Sequence, residues 1–357
     1  MKFLRKFLRA AGYLVFLLLG FELAARLIVA TPPLFKKIAG EDDASHRLKW
    51  VKRNRGQRDI YSRIDVYDPA RGWALKPGLR DLAVFEGKRL SSNSRGLRGR
   101  EEHGYDKTPG KTRIAFLGDS FIFGEEVDDG ETIPAQLQAL LPGAEVLNLG
   151  VHGYGHDQML IYLREEGVRY RPDICLVGFI YVDMFRNLLS FKDYAKPRFA
   201  LKSGRLVLKN SPVPAAAALL AAEWRRSKFL DLLTILEAKI EFAAGIQFSR
   251  MKRITTALLD EIAAEARRAG ATPVFVYLPG GDEIVRGSED TAWREAYFFE
   301  YCRSRGVPHV SLLPAFRESR EKGVPFKTRG HLDGAGNLIA ARAIRDFLVS
   351  SGLTPAN

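Results

Sequence analysis

The chain holds only two cysteines, Cys175 and Cys302, and neither sits in a CxxC or other metal-like spacing. That excludes a disulfide-rich scaffold and a cysteine-built zinc site. Cys175 lies in an apolar run and Cys302 in an aromatic-rich helical pattern, so both read as buried, inert thiols. Internal repeats are missing, and the one low-complexity tract is the short alanine run at 215–218, so a solenoid is excluded. Negative charge is in short supply: 55 Lys and Arg face 42 Asp and Glu, a net charge of +13. The cations are scattered, as at Arg95, Arg98, Arg100, Arg267 and Arg268, and no basic zipper or zinc finger accompanies them. No nucleic-acid partner is expected from that pattern. His152 and His156 lie close together in sequence, but no carboxylate pair completes a metal site around them, so neither metal nor cofactor is expected.

What is present suffices for a sizeable core: 46% of the 357 residues are hydrophobic and 27% charged. Lys2, Arg5, Lys6 and Arg9 lead into an apolar run from residue 10 to about residue 30. At about 1.5 Å per residue such a run spans about 30 Å, the thickness of a bilayer core. Glu22 and Arg26 interrupt it, four apart and so on one helix face, where they can pair. The leading cations predict a single span with its amino terminus in the cytoplasm of a bacterial-type inner membrane and the rest of the chain outside, in the periplasm. A cleaved signal peptide with residues 10–21 as its apolar core is the alternative; small-x-small spacing is poor around 24–31. A cytosolic amphipathic helix is a third reading, against which the run is too apolar all round.

Residues 1–35 thus read as cytoplasmic tip and anchor. Residues 36–60, polar and basic, read as a tether, and 65–99 as a small β element, together a segment spanning 36–110. From residue 113 apolar strands alternate with amphipathic helices. Strands are expected at 113–117, 146–149, 174–179, 273–277 and 309–312, and helices at 132–141, 157–170, 254–269, 292–305 and 335–350. Alternation of this kind implies a parallel sheet covered on both faces, with right-handed crossovers, over 111–357. About seventy residues, 184–253, break the rhythm and read as an insertion or cap, largely helical from 215 to 244.

Three signals carry chemistry. Gly118-Asp119-Ser120 follows the first strand and opens a helix, which places a serine hydroxyl at a strand's carboxyl end, where ligands of open α/β sheets bind. Asn148-Leu149-Gly150 ends the second strand, and a glycine there leaves room for substrate and supplies a backbone N–H. His331, just before the last helix, is a side chain able to take a serine's proton near neutral pH. His152 lies near the second strand's end, where it could line the site.

Taken in order, Gly-Asp-Ser, Asn-x-Gly, a glycine-led block after the third strand and a late histidine resemble the SGNH/GDSL hydrolase family, from about residue 113 to 348. The segment from Gly72-Trp73 to Asn93-Ser94-Arg95-Gly96-Leu97-Arg98-Gly99 resembles that of membrane-anchored members. The resemblance implies a flavodoxin-like three-layer α/β/α fold around a five-stranded parallel sheet. It implies Ser120 as nucleophile, His331 as its base and the N–H groups of Ser120 and Gly150 in the oxyanion hole. Two positions depart from the family pattern. Val182-Asp183 stands where an asparagine donor is expected, leaving Asp183, Asn187 and Arg186 as candidates around the oxyanion. Thr328 and Arg329 stand where the triad aspartate is expected, leaving Asp333 as the candidate acid. Asp119, His152, Tyr154 and Arg186 are the candidates to line the site.

The function expected is an extracytoplasmic, membrane-anchored serine esterase or deacylase acting on an acylated carbohydrate. The alternatives are an O-acyltransferase acting on an envelope polysaccharide and a non-catalytic carbohydrate-binding or assembly protein on the same fold.

Overall fold

The computed structural model describes residues 2–54, 63–85, 87–287 and 289–355. The chain divides into two compact units. The larger comprises Tyr61–Leu188, Pro197–Val213 and Met251–Asn357; the smaller comprises Met1–Ile60, Leu189–Lys196 and Pro214–Arg250.

The larger unit is built on five parallel strands: β1 (Thr112–Gly118), β2 (Ala144–Gly150), β3 (Ile174–Phe179), β4 (Thr272–Tyr277) and β5 (His309–Ser311). Every residue of β2 and β3 is buried, which explains why these strands read as unbroken apolar runs rather than alternating ones. On one face, Ile133 and Leu137 of the helix Ile133–Leu140 and Ile344 and Leu348 of the helix Gly334–Ser350 pack with Ile114 and Phe116 of β1. The strand order is β5-β4-β3-β1-β2, that of a flavodoxin-like three-layer α/β/α sheet. The order reverses between β1 and β3, so the crevice at their carboxyl ends is the switch point where such folds place ligands. Register there is close: Gly118 of β1 lies opposite Gly150 of β2, and Leu117 opposite Val177 of β3.

All five expected strands are present within two residues of their expected ends. The helix expected at 157–170 is shorter: it runs His156–Glu165 and is followed by a 3-10 turn, Gly167–Tyr170. The helix expected to start at 254 begins eight residues earlier, Ile246–Arg268. Two antiparallel hairpins, Asp65–Asp68 with Gly72–Leu75 and Leu82–Val84 with Lys88–Leu90, form the small β element, which belongs to this unit.

The smaller unit is helical. Its first helix, Lys2–Ala30, is long and apolar enough to cross a membrane. Glu22 and Arg26 pair on it at 2.8 Å, as their spacing suggests. The stretch read as a tether differs from expectation: 43–54 is a helix, Asp43–Asn54, while 55–60 lie outside the described residues. Ala44 and Leu48 of that helix pack with Phe35 and Ile235. Arg47 is buried against Glu223 and Asp231, and Asp43 accepts the N–H groups of Ser190 and Phe191 at 2.7 and 3.0 Å. These partners are far along the chain, so the composition that suggests a solvated tether is satisfied by contacts no local reading sees. Region 184–253, read as an insertion, is divided between the two units. The hairpin Arg198–Lys202/Arg205–Lys209 belongs to the sheet unit, and the helices Ala216–Glu223 and Lys228–Ala243 belong to the smaller one.

Candidate active site

The site starts at the end of β1. A side chain at Gly118 would drive a Cβ to 2.1 Å from Ile122 Cγ1, so only glycine lets the strand meet the following turn. Asp119 caps the short helix Ser120–Phe123, its carboxylate accepting the Phe121 N–H at 2.9 Å. Ser120 thereby sits at the first helical position, where its N–H has no intrahelical partner. Gly124, at φ +81°, stops the helix after one turn.

Ser120 Oγ lies 2.9 Å from His331 Nε2, and the other ring nitrogen, Nδ1, lies 3.2 Å from Glu126 Oε1. If Nδ1–H donates to Glu126, Nε2 is left with the lone pair that accepts the serine hydroxyl. The acid opposite the histidine is therefore Glu126. Asp333 is elsewhere: it caps the last helix by accepting the Gly336 N–H at 2.9 Å and also accepts the Lys327 N–H at 3.1 Å. Its contribution is indirect, because the Lys327 ammonium hydrogen-bonds Glu126. That hydrogen bond is the first cause holding the Glu126 carboxyl below its usual range. Glu125 Oε2 also stands 3.5 Å from His331 Nε2, and the Phe121 ring packs against the imidazole at 5.1 Å between centroids.

Glu126 holds a left-handed backbone conformation, φ +68°, strain of the kind that collects at functional sites. Buried Arg98 fixes the loop. Its guanidinium donates to the carbonyls of Phe123, at 3.0 Å, of Gly124, and of Val127, at 2.6 Å. Arg98 is itself placed by a turn in which the Asn93 side chain accepts the N–H groups of Arg95 and Leu97, each at 3.0 Å. Sequence reading missed Glu126 and Arg98. The one local signal was Gly124-Glu125-Glu126, directly after the serine's helix.

The opposite side of the serine differs from expectation. Gly150 does not offer its N–H, which donates to its own neighbour Asn148 Oδ1 at 2.9 Å. Its lack of a side chain serves packing, since a Cβ would come within 2.3 Å of the Phe123 nitrogen. Asn187 is occupied too: its amide nitrogen donates to Thr255 Oγ1 at 2.9 Å and lies 3.1 Å from His156 Nδ1, all three residues buried. Burial holds His156 neutral, its pKa lowered to about 3. Asp183 is fully buried, and its pKa is raised well above the usual value by that burial and then by the charge of Asp119. Arg186 bridges Asp183 at 2.6 Å, Asp119 at 2.9 Å and the Tyr154 carbonyl at 3.0 Å. Since Asp119 Oδ2 is 3.4 Å from Ser120 Oγ, the guanidinium stands one carboxylate away from the nucleophile.

Of the remaining lining candidates, Tyr154 is fully buried, with its hydroxyl on the Trp73 carbonyl at 2.6 Å. His152 turns to Asp65 at 2.7 Å and packs against Phe123. Neither points to the Ser120–His331 pair through any of these contacts. Among the described residues no group of three or more His, Cys, Asp or Glu is placed to hold a metal ion.

No protein-family model matches the chain, and neither does any curated protein. Several solved structures are similar to part of it. A protein assigned to the G-D-S-L lipolytic family from Desulfitobacterium hafniense is 13% identical, with a TM-score of 0.42, and the match covers 67% of this chain and all of that one. An acetylxylan esterase from Geobacillus stearothermophilus is 15% identical over 68% of this chain and 96% of that one, with a TM-score of 0.40. A two-domain esterase active on acetylated mannans is 12% identical over 69% of this chain, with a TM-score of 0.41, and only 53% of it is covered.

Proposed function

We propose that the chain is a serine esterase or deacylase of SGNH/GDSL type, anchored by its first helix with the sheet unit on the extracytoplasmic side, and acting on acylated carbohydrate. The observation that carries this reading is the continuous array Ser120–His331–Glu126, with contacts of 2.9 and 3.2 Å, at the switch point of the sheet.

In this mechanism His331 Nε2 takes the Ser120 proton as Oγ attacks the acyl carbonyl, and Glu126 stabilises the imidazolium that forms. His331 then protonates the departing sugar oxygen, and a water repeats the two steps to free the acid. The Ser120 N–H donates to the oxyanion. Arg186 is our candidate for the second donor, in place of Gly150, Asp183 and Asn187, whose polar atoms are spent or buried. The orientation follows from the cations that precede the apolar helix.

That scarcity of oxyanion donors favours a second reading, in which the same unit binds acylated sugar without turning it over. The two separate in one experiment on the full chain in detergent, beside Ser120→Ala and His331→Ala. Turnover of p-nitrophenyl acetate and labelling by a fluorophosphonate, both lost in each variant, support the esterase. A wild-type chain that neither labels nor turns over overturns it.

A further inference from the structure

The helix Lys228–Ala243 carries an apolar stripe that none of the described residues of the smaller unit covers. Leu230, Leu236 and Ile240 are each more than half exposed, with Leu233 nearly so. They fall within one face, at spacings of three, three and four residues. The opposite face is the buried one: Ile235 lies in the apolar cluster of the unit, and Lys228 and Asp231 in its ion-pair cluster. Exposed Thr234 falls outside the stripe, whereas exposed Glu237 falls within its arc, between Leu230 and Leu233.

The stripe is locked in register with the first helix. Glu22 caps the start of Lys228–Ala243, accepting the Ser227 hydroxyl at 2.7 Å and the N–H groups of Lys228 and Phe229 at 3.1 Å each. Phe21 stacks on Phe229 at 5.3 Å between centroids. Seven residues later Val29 packs in the same cluster as Ile235. The two helices therefore run parallel, residue 22 level with about 228 and residue 29 with about 235.

This register sets a depth, which rests on the reading of Lys2–Ala30 as a membrane span. A hydrocarbon core of about 30 Å takes about 20 residues. Begun between Lys6 and Arg9, it ends between Arg26 and Val29. That boundary is level with 232–235, so Leu230 lies just inside it, Leu233 and Leu236 straddle it, and Ile240 stands in the headgroup layer. The turn before the helix carries Trp224, well exposed, with Arg225 stacked on it at 4.8 Å. Arg226 is exposed as well, and its carbonyl accepts from Arg26 at 3.5 Å. An aromatic ring beside long cations that can reach up to phosphate is the side-chain chemistry of a membrane interface.

We propose that Lys228–Ala243 is a second membrane-contacting helix that enters the leaflet beside the carboxyl end of the first helix, with Leu230 and Leu233 in the apolar layer, Leu236 and Ile240 at the headgroups, and Arg225 and Arg226 reaching up toward phosphate from the turn below. The occupant of the stripe is lipid. Its continuity with the spanning helix, through the Glu22 cap and the Phe21 stack, distinguishes it from a face awaiting a protein.

The test uses the full chain in nanodiscs of equal parts phosphatidylcholine and phosphatidylglycerol. A polarity-sensitive fluorophore is placed singly at Leu233→Cys, Leu236→Cys and Ile240→Cys, at Thr234→Cys off the stripe, and at Leu17→Cys on the first helix. Cys175 and Cys302 are buried, their thiol pKa pushed up to about 12 by desolvation, so they escape labelling. Quenching by doxyl-labelled lipid is expected to be at least about threefold stronger at the stripe positions than at Thr234, where aqueous iodide should dominate. Leu17 quenched by lipid with the stripe open to iodide would overturn the inference and leave the span standing. Leu17 open to iodide overturns the span, and this inference with it. Stripe positions shielded from both quenchers would mean that another protein surface, a second copy included, covers the face, which also overturns it. Three separate stripe positions keep the result readable if one variant misfolds.

Discussion

The two sides of Ser120 are built differently. On the His331 side, polar groups are partly open to solvent and joined in a line: serine, imidazole, Glu126, Lys327. On the Arg186 side Asp119, Asp183, Asn187, His156 and Thr255 are buried and tied to their neighbours, and Arg186, only partly buried, is held by Asp119 and Asp183 through one guanidinium nitrogen. Proton transfer needs a chain of groups with one loose end at the substrate, and the first side has it. Oxyanion binding needs donors held ready but not yet used, and the second side has spent most of its own. The contrast predicts that variants on the His331 side abolish chemistry, whereas those on the Arg186 side split between one that lowers rate and several that lower only stability.

The largest effects belong to Ser120→Ala and His331→Ala, each expected to lower kcat/KM on p-nitrophenyl acetate by about 10⁴-fold or more. Glu126→Gln should cost about 10²- to 10⁴-fold in kcat with little change in KM. Asp333→Ala, by contrast, should cost far less activity and about 1 kcal/mol of stability through its lost cap, read as a fall in Tm. Equal losses in the two would break the assignment of Glu126 as the acid. Across the serine, Arg186→Ala should lower kcat by about 10²-fold as a lost oxyanion donor. Asn187→Ala should leave kcat within about threefold while lowering Tm, because it strips partners from buried His156 and Thr255.

The smallest effect is one of pH. Asp183 has a raised pKa in the folded chain, so the folded state keeps a proton that the unfolded state has already released above its ordinary value of 3.8. Its contribution to stability is therefore most favourable at low pH and falls as pH rises past that value. Asp183→Asn should remove this slope, gaining Tm relative to wild type between pH 5 and 8. A relative loss of Tm there would show that Asp183 is an ionised partner of Arg186 and would make that side of the site more charged than described. The sign is opposite for Glu126, whose lowered pKa keeps its contribution intact above 4.5 and loses it only as pH falls through the depressed value.

The pattern of legibility follows the same contrast. The strands were readable because apolar runs ending in Gly118, Gly150 or Gly178-Phe179 announce buried parallel strands. Ser120 and His331 were readable because each follows or precedes an element boundary. Glu126 was not, because what makes it an acid is a histidine 205 positions away, a left-handed backbone and the Arg98 clamp, none of which leaves a local pattern. Gly150 misled for the converse reason. A glycine after a strand signals close approach, but whether of substrate or of the Phe123 backbone is a matter of packing. The helix Asp43–Asn54 was missed because its buried Arg47 has partners 176 and 184 residues on.

The central claim is that Ser120 is a nucleophile driven by His331 and Glu126. The direct measurement is the rate at which a fluorophosphonate phosphonylates the full chain, followed by intact-mass spectrometry with the adduct mapped by peptide, in wild type and Glu126→Gln. The account predicts one adduct, on Ser120, forming at least about tenfold more slowly in the variant. A wild-type chain that takes no adduct, or takes it equally fast without Glu126, would contradict it.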